Sequence, residues 1–298
     1  MTRSAFIDPR QLEALAGTKL RARSIIEGLM AGMHRNPNRG SSVEFAEYKE
    51  YGPGDELRHI DWRAYARVDR YYVKQFEDET NLRAFFLVDQ SGSMGFAYDG
   101  VMTKYDYAAT LAASLAWLLL QQGDAPGLQL FHDQPGVYLA PSSKRTQLDD
   151  FCALLDAATP QGKTRSDLAV ARIAERIRAR SLVVLISDFI DTGEETLTLA
   201  KILRRRGMEV VLFHIMDRAE WTLPWEQMCL FEGMEGEGES LAEPDEIRSA
   251  YQTNVRAYLD QLAQECASAD LEYFHLYTDQ PVEEAILALT QKRRRGRG

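Results

Sequence analysis

A chain of 298 residues, 45% hydrophobic and 27% charged, is long enough to bury a sizeable core, which excludes a peptide ligand and a disulfide miniprotein, and its composition shows no bias toward disorder or fibre. Lys and Arg number 35 against 45 Asp and Glu, a net charge of -10, and five of the cations crowd into the last seven residues, Lys292 to Gly298. The rest of the chain is therefore more acidic than the total, and its charge has the wrong sign for general nucleic-acid binding. No run approaches the roughly 18 apolar residues of a membrane span, and the start, Met1 to Leu15, lacks a signal peptide's apolar stretch and small-residue cleavage site, so a cytoplasmic protein is expected. Cys152, Cys229 and Cys266 lie far apart with no C-x-x-C, so buried, inert thiols are expected rather than a disulfide framework or zinc ribbon.

In chain order, Leu12, Leu15, Leu20, Ile25, Ile26, Leu29 and Met30 recur at helical spacing and predict one or two helices over 8–33. A loop from Asn36 to Ser42, an alternating segment from Val43 to Tyr51, a turn at Gly52-Pro53-Gly54-Asp55, a helical turn within Leu57 to Ala66 and a strand from Tyr71 to Phe76 follow. From Leu82 onward strands and helices alternate. Ala84 to Val88 and Leu182 to Ile186 are continuous apolar runs, as in strands buried on both faces. Tyr105 to Gln121 reads as a deeply packed helix, and Leu128 to Phe131 with Val137 to Leu139 as a hairpin at a sheet edge. Helices over 146–157, 167–180 and 194–205, a strand from Glu209 to Ile215, a helix from Pro244 to Ala269, a strand from Leu271 to Leu276 and a helix from about Pro281 complete the reading. The stretch with Trp221, Trp225 and the Gly/Glu run 232–239 reads as irregular, the run itself as a solvated loop. The expected fold is α/β, a doubly wound and mostly parallel sheet with helices on both faces. Its expected parts are an N-terminal helix and strand module over 1–80, the main domain over 81–290 and a basic tail over 291–298, with no internal repeat.

Both fully apolar strands run into an aspartate, Asp89 and Asp188. In a parallel sheet the two lie at the carboxyl-terminal edge, where open α/β folds place ligands, and on neighbouring strands about 4.8 Å apart they converge. Close carboxylates repel unless a proton or a cation lies between them. Asp89-Gln90-Ser91-Gly92-Ser93 adds two hydroxyls on one tight turn, and Thr164 in Gly162-Lys163-Thr164-Arg165-Ser166 can lend a third. Such oxygen-only donors suit a hard cation, Mg2+ or Mn2+. Uncharged hydroxyl ligands leave that cation electrophilic, with a position open to an outside ligand.

These residues resemble the metal-ion-dependent adhesion site of von Willebrand factor A domains, whose pattern is D-x-S-x-S, then a threonine, then an aspartate. By position Asp89, Ser91, Ser93, Thr164 and Asp188 take those places. The resemblance implies that Ser91, Ser93 and Thr164 touch the metal, that the aspartates act partly through water, and that the strand order is 3-2-1-4-5-6. Val43-Glu44-Phe45, Tyr51-Gly52-Pro53-Gly54-Asp55 and Arg58-His59-Ile60-Asp61-Trp62-Arg63 further resemble the N-terminal signature of the bacterial domain of unknown function 58 family, over about 34–290. That resemblance implies partnership with MoxR-type AAA+ ATPases.

Other chemistries fit less well. A haloacid dehalogenase-type phosphotransferase needs a carboxylate where Ser91 stands, a P-loop needs a glycine where Ala157 stands, and Ser91 lacks the G-x-S-x-G flanks of a serine hydrolase. His34, His59, His132, His214 and His275 are scattered without a zinc-hydrolase motif. Arg58, Asp61 and Trp62 are expected to pin the N-terminal segment to the core. The expectation is a non-enzymatic module that captures a protein carboxylate through Mg2+, as adaptor or substrate-recruiter for a MoxR-type ATPase. The alternatives are a metal-dependent hydrolase, for which no general base is evident near the motif, and a metal-independent scaffold.

Overall fold

The computed structural model describes residues 6–34, 48–50, 72–74, 82–99, 102–177, 180–190 and 194–295. The chain divides into two units, Met1–Gly32 with Leu82–Gly298, and Met33–Asn81. Helices α1 (Pro9–Glu13) and α2 (Thr18–His34) open the chain. Asp8 caps α1 by accepting from the Arg10 N–H, and Pro9 occupies its first turn, where no N–H is needed. In the smaller unit β1 (Tyr48–Glu50) and β2 (Tyr72–Lys74) pair antiparallel, Tyr48 opposite Lys74. The signature segments around Val43–Phe45, Gly52–Asp55 and Arg58–Arg63, Trp62 included, lie outside the described residues.

The main unit is built on β3 (Arg83–Asp89), followed by α3 (Lys104–Gln121), β4 (Ala125–Phe131), β5 (Pro135–Leu139), α4 (Gln147–Ala157), α5 (Ser166–Arg176) and β6 (Ser181–Ser187). Then come α6 (Glu194–Arg205), β7 (Glu209–Met216), α7 (Arg218–Thr222), β8 (Cys229–Glu232), β9 (Glu239–Ala242), α8 (Pro244–Ser268), β10 (Glu272–Tyr277) and α9 (Val282–Arg295). Six strands form one sheet in the order β10-β7-β6-β3-β4-β5, parallel except for the edge strand β5. Counted along the chain this is 3-2-1-4-5-6, read from the β5 edge, as the resemblance implied.

Side-chain alternation along the strands fills two cores. Phe86 and Val88 of β3 face one side, where Ile25, Ala112, Phe151 and Ile286 bring in α2, α3, α4 and α9. Phe85 and Leu87 face the other, with Ile173, Leu203 and Leu262 of α5, α6 and α8. The central strands are covered on both sides, hence their unbroken apolar runs.

Three features differ from the sequence reading. The N-terminal helices, assigned there to a segment ending at residue 80, supply Leu12, Ala22, Ile25 and Ile26 to the main core. They are fixed by Thr18, whose N–H donates to Asp156 at 2.9 Å, and by the Arg21–Asp106 pair at 2.9 Å. The basic residues Lys292 to Arg295 continue α9 instead of starting a tail at 291. The stretch expected to be irregular contains α7 and the β8–β9 hairpin. Among the described residues no helix is long and apolar enough to cross a membrane. Cys152 and Cys266 are buried free thiols whose pKa values burial pushes up to about 12 and about 11, as expected of inert cysteines, whereas Cys229 at the start of β8 is only partly buried.

Candidate functional site

β3 and β6 are parallel neighbours with Val88 opposite Ile186, so their carboxyl ends bring Asp89 beside Ser187 and Asp188. Asp89 is completely buried. Its Oδ2 accepts from the Ser187 hydroxyl at 2.6 Å and its Oδ1 from the Ser91 N–H at 2.8 Å. Burial, reinforced by the charge of Asp188, pushes its pKa up to about 7 against the pull of those bonds.

Asp188 is handled differently. Burial disfavours its charge, but Lys104 holds its carboxyl below the usual range, the ammonium standing 2.8 Å from Oδ2. Lys104 begins α3 immediately after the N-cap Thr103 and is fully buried. Its ammonium also donates to Glu220 at 2.5 Å, a residue held by the Asp217 capping box of α7. Burial works against the lysine's charge, yet the two carboxylates together lift its pKa above the ordinary value, while burial raises that of Glu220. Sequence reading missed Lys104 and Glu220. The available signal was a lysine in the first turn of a helix otherwise almost wholly apolar.

The hydroxyls come from two loops stitched together. The Gly92 N–H donates to the Gly162 carbonyl at 2.9 Å and the Gln161 N–H to the Gln90 carbonyl at 2.8 Å, which brings Thr164 to the turn carrying Ser91 and Ser93. Ser91 Oγ and Ser93 Oγ are 3.2 Å apart. Ser166, two residues beyond Thr164, points elsewhere and bonds Thr196 at 2.8 Å.

The occupant of the space between the loops is the chain's own Glu235. Ser93 Oγ and Thr164 Oγ1 donate to the same oxygen, Glu235 Oε1, at 2.7 and 2.8 Å, and the Thr164 N–H donates to Oε2 at 2.8 Å. The run 232–239, expected to be solvated, thus sends one of its four glutamates into the site, and nothing in the spacing distinguished Glu235 from Glu232, Glu237 or Glu239. The loop lies close enough that a Cβ on Gly92 would stand 2.3 Å from the Met234 carbonyl oxygen, so glycine is required there.

The donor chemistry fits a hard cation. All five predicted residues offer oxygen, and two hydroxyls already converge on a single point. Among the described residues no three His, Cys, Asp or Glu side chains gather as a metal cluster, so the hydroxyls are indispensable to any such site. His214 and His275 form a ring pair on β7 and β10, their centroids 5.1 Å apart, with His214 opposite Ser187 of β6 and beside Asp188.

The fold and site define a doubly wound α/β domain with an Asp/Ser/Thr loop cluster at the carboxyl edge of its sheet. Residues 47–260 match the family described as Protein of unknown function DUF58, and the chain belongs to that family. It is 27% identical to the uncharacterized protein Rv1480 of Mycobacterium tuberculosis, over 99% of this chain and 94% of the relative. Among solved structures it is similar to the conserved hypothetical protein BatB from Bacteroides thetaiotaomicron, with 15% identity, a TM-score of 0.49, and coverage of 71% of this chain and 98% of that one. The SpRpn10 VWA domain is also similar, with 13% identity, a TM-score of 0.39, and coverage of 69% of this chain and 93% of that one.

Proposed function

We propose that the chain is a non-enzymatic, cation-dependent protein-binding module that captures a carboxylate of a partner protein. The observation that carries this reading is the convergence of Ser93 and Thr164 on one carboxylate oxygen, that of Glu235. Ser91, Ser93 and Thr164 are the residues that would hold Mg2+ or Mn2+, with Asp89 and Asp188 behind them. The cation would supply an electrophilic position for an incoming carboxylate oxygen. Asp89, its pKa pushed up to about 7 by burial, is a carboxylate suited to proton transfer. Both its oxygens are engaged by Ser91 and Ser187, however, and the side chain is wholly buried, so it does not face an incoming molecule. This favours binding over hydrolysis.

The partner in this reading is a MoxR-type AAA+ ATPase or the client it recruits, as the family resemblance implies. A second reading, a metal-independent scaffold, is favoured by one observation: Lys104 already supplies a buried cation to Asp188. Co-purification from the native host with and without EDTA, using wild type and Ser91→Ala/Ser93→Ala, separates the two. Partner capture lost in both EDTA and the double variant supports the cation-dependent module. Capture indifferent to both means the scaffold, and phosphoester turnover abolished by the double variant means an enzyme.

A further inference from the structure

We propose that Glu235 is a tethered ligand of this site, and that the loop 233–238 must leave before an acidic segment of a partner protein can enter. The proposal rests on the carboxylate-capture reading above and adds that the chain competes with its partner for its own binding position.

Three observations carry it. First, the contact satisfies both carboxylate oxygens from the cradle alone: Oε1 takes two hydroxyl donors and Oε2 a backbone N–H. Charge-assisted bonds of this kind are stronger than neutral ones, and any incoming carboxylate must replace them. Second, the loop is seated over the turn that presents the serines, with the Met234 carbonyl against Gly92 and the Met234 methyl 3.7 Å from the position a Cβ on Gly95 would take. Glu235 in this pose therefore covers the hydroxyls as well as bonding to them.

Third, the hairpin that carries the loop is built to let go. Its strands are four residues each and, among the described residues, pair with one another alone, and isolated two-stranded hairpins are marginal. Glu232 stands opposite Glu239 in the ladder, a like-charge pair that weakens the hairpin itself. Gly236 and Gly238 hold φ of +86° and +96°, and the Gly233 N–H closes the loop on the Gly238 carbonyl at 2.8 Å. The loop can thus swing as a closed piece with little internal rearrangement. An intramolecular carboxylate has an effective concentration on the order of millimolar, so a partner succeeds only if it brings contacts beyond its acidic side chain.

The test uses the full chain and, as probe, a blocked synthetic peptide of residues 232–239, with a second peptide carrying Gln in place of Glu235. Amide exchange in EDTA reads the closed loop without any cation: Glu235→Ala should expose the Thr164 amide at least tenfold, whereas Glu235→Gln, which keeps an oxygen acceptor, should expose it less. In Mg2+, Glu235→Ala should bind the native peptide at least tenfold more tightly than wild type does, with no such gain for the Gln peptide. Gly92→Ala, which forces the loop away with Glu235 intact, should reproduce the gain. Unchanged Thr164 exchange in Glu235→Ala, or no gain of peptide binding in either variant, overturns the proposal. A gain that persists in EDTA supports the tethered ligand and overturns the cation dependence of the reading beneath it.

Discussion

Lys104 and Asp188 form a buried ion pair, Nζ 2.8 Å from Oδ2, with side chains 0% and 1% exposed. Two charges so far from water are held there only because each compensates the other. Lys104→Met should destabilise the protein by about 3–5 kcal/mol, because Asp188 and Glu220 lose their shared cation. If the site takes Mg2+, the cation should then stabilise the variant more than wild type, since it replaces a missing positive charge. Thermal unfolding with and without Mg2+ measures both effects, and an equal Mg2+ shift in the two proteins would count against a cation at this edge of the sheet.

Asp89 presents the opposite case. Its hydrogen bonds come from Ser187 and the Ser91 backbone, and its raised pKa records a carboxylate held at some cost. Asp89→Asn should leave the metal-free protein as stable as wild type or raise its melting point, each kcal/mol being worth about 2–4 °C. The same variant should lose the Mg2+-induced rise, which in wild type should approach ~2.7 kcal/mol at a hundredfold excess over Kd. A variant that loses stability in EDTA and still responds fully to Mg2+ would show that Asp89 is structural only.

Ile25 tests the allocation of the N-terminal helices. It is wholly buried in the core shared by α2, α3 and β3. Ile25→Ala should cost about 2–5 kcal/mol in chemical denaturation of the whole chain, the range for deleting a large aliphatic side chain from a packed site. A loss below ~1 kcal/mol would place α2 outside the cooperative core.

The fold was legible because burial on both faces writes itself as continuous apolar runs, so Ala84 to Val88 and Leu182 to Ile186 marked the central strands without ambiguity. The ends of those strands made Asp89 and Asp188 legible, and the tight turn after Asp89 made Ser91 and Ser93 so. Glu235 was not legible: an acidic loop rich in glycine has the composition of a solvated one, and only tertiary placement tells which glutamate meets Thr164. Lys104 was hidden by its side chain's burial, which is rare for lysine. The β8–β9 hairpin was missed because its alternating residues are largely exposed, leaving no apolar face to read.

The pH dependence of stability should be set in part by His214 and His275, which sit opposite one another on β7 and β10. Burial, aided by His275, pushes the pKa of His214 down to about 3, and burial with nearby Arg218 pushes that of His275 down to about 4, from an ordinary 6.5. Around His214, Asp188 favours the charged form and Lys104 opposes it, both outweighed by the loss of water. The folded protein keeps both rings neutral where the unfolded chain takes up protons. Their contribution is therefore complete above about pH 6.5 and lost as pH falls toward 4 and then 3. For His214 the slope can reach about 1.4 kcal/mol per pH unit within that window. His214→Gln, which keeps a polar partner for the Tyr273 hydroxyl 2.8 Å from Nδ1, should be less stable than wild type at pH 7.5. It should lose less between pH 6.5 and 5, so that the two denaturation midpoints draw together on acidification. Carboxylates contribute an acid-side slope of the same sign in both proteins, so the comparison rests on the difference between them. Parallel curves across that range would mean that His214 is protonated in the folded state and that its charge is compensated at the sheet edge.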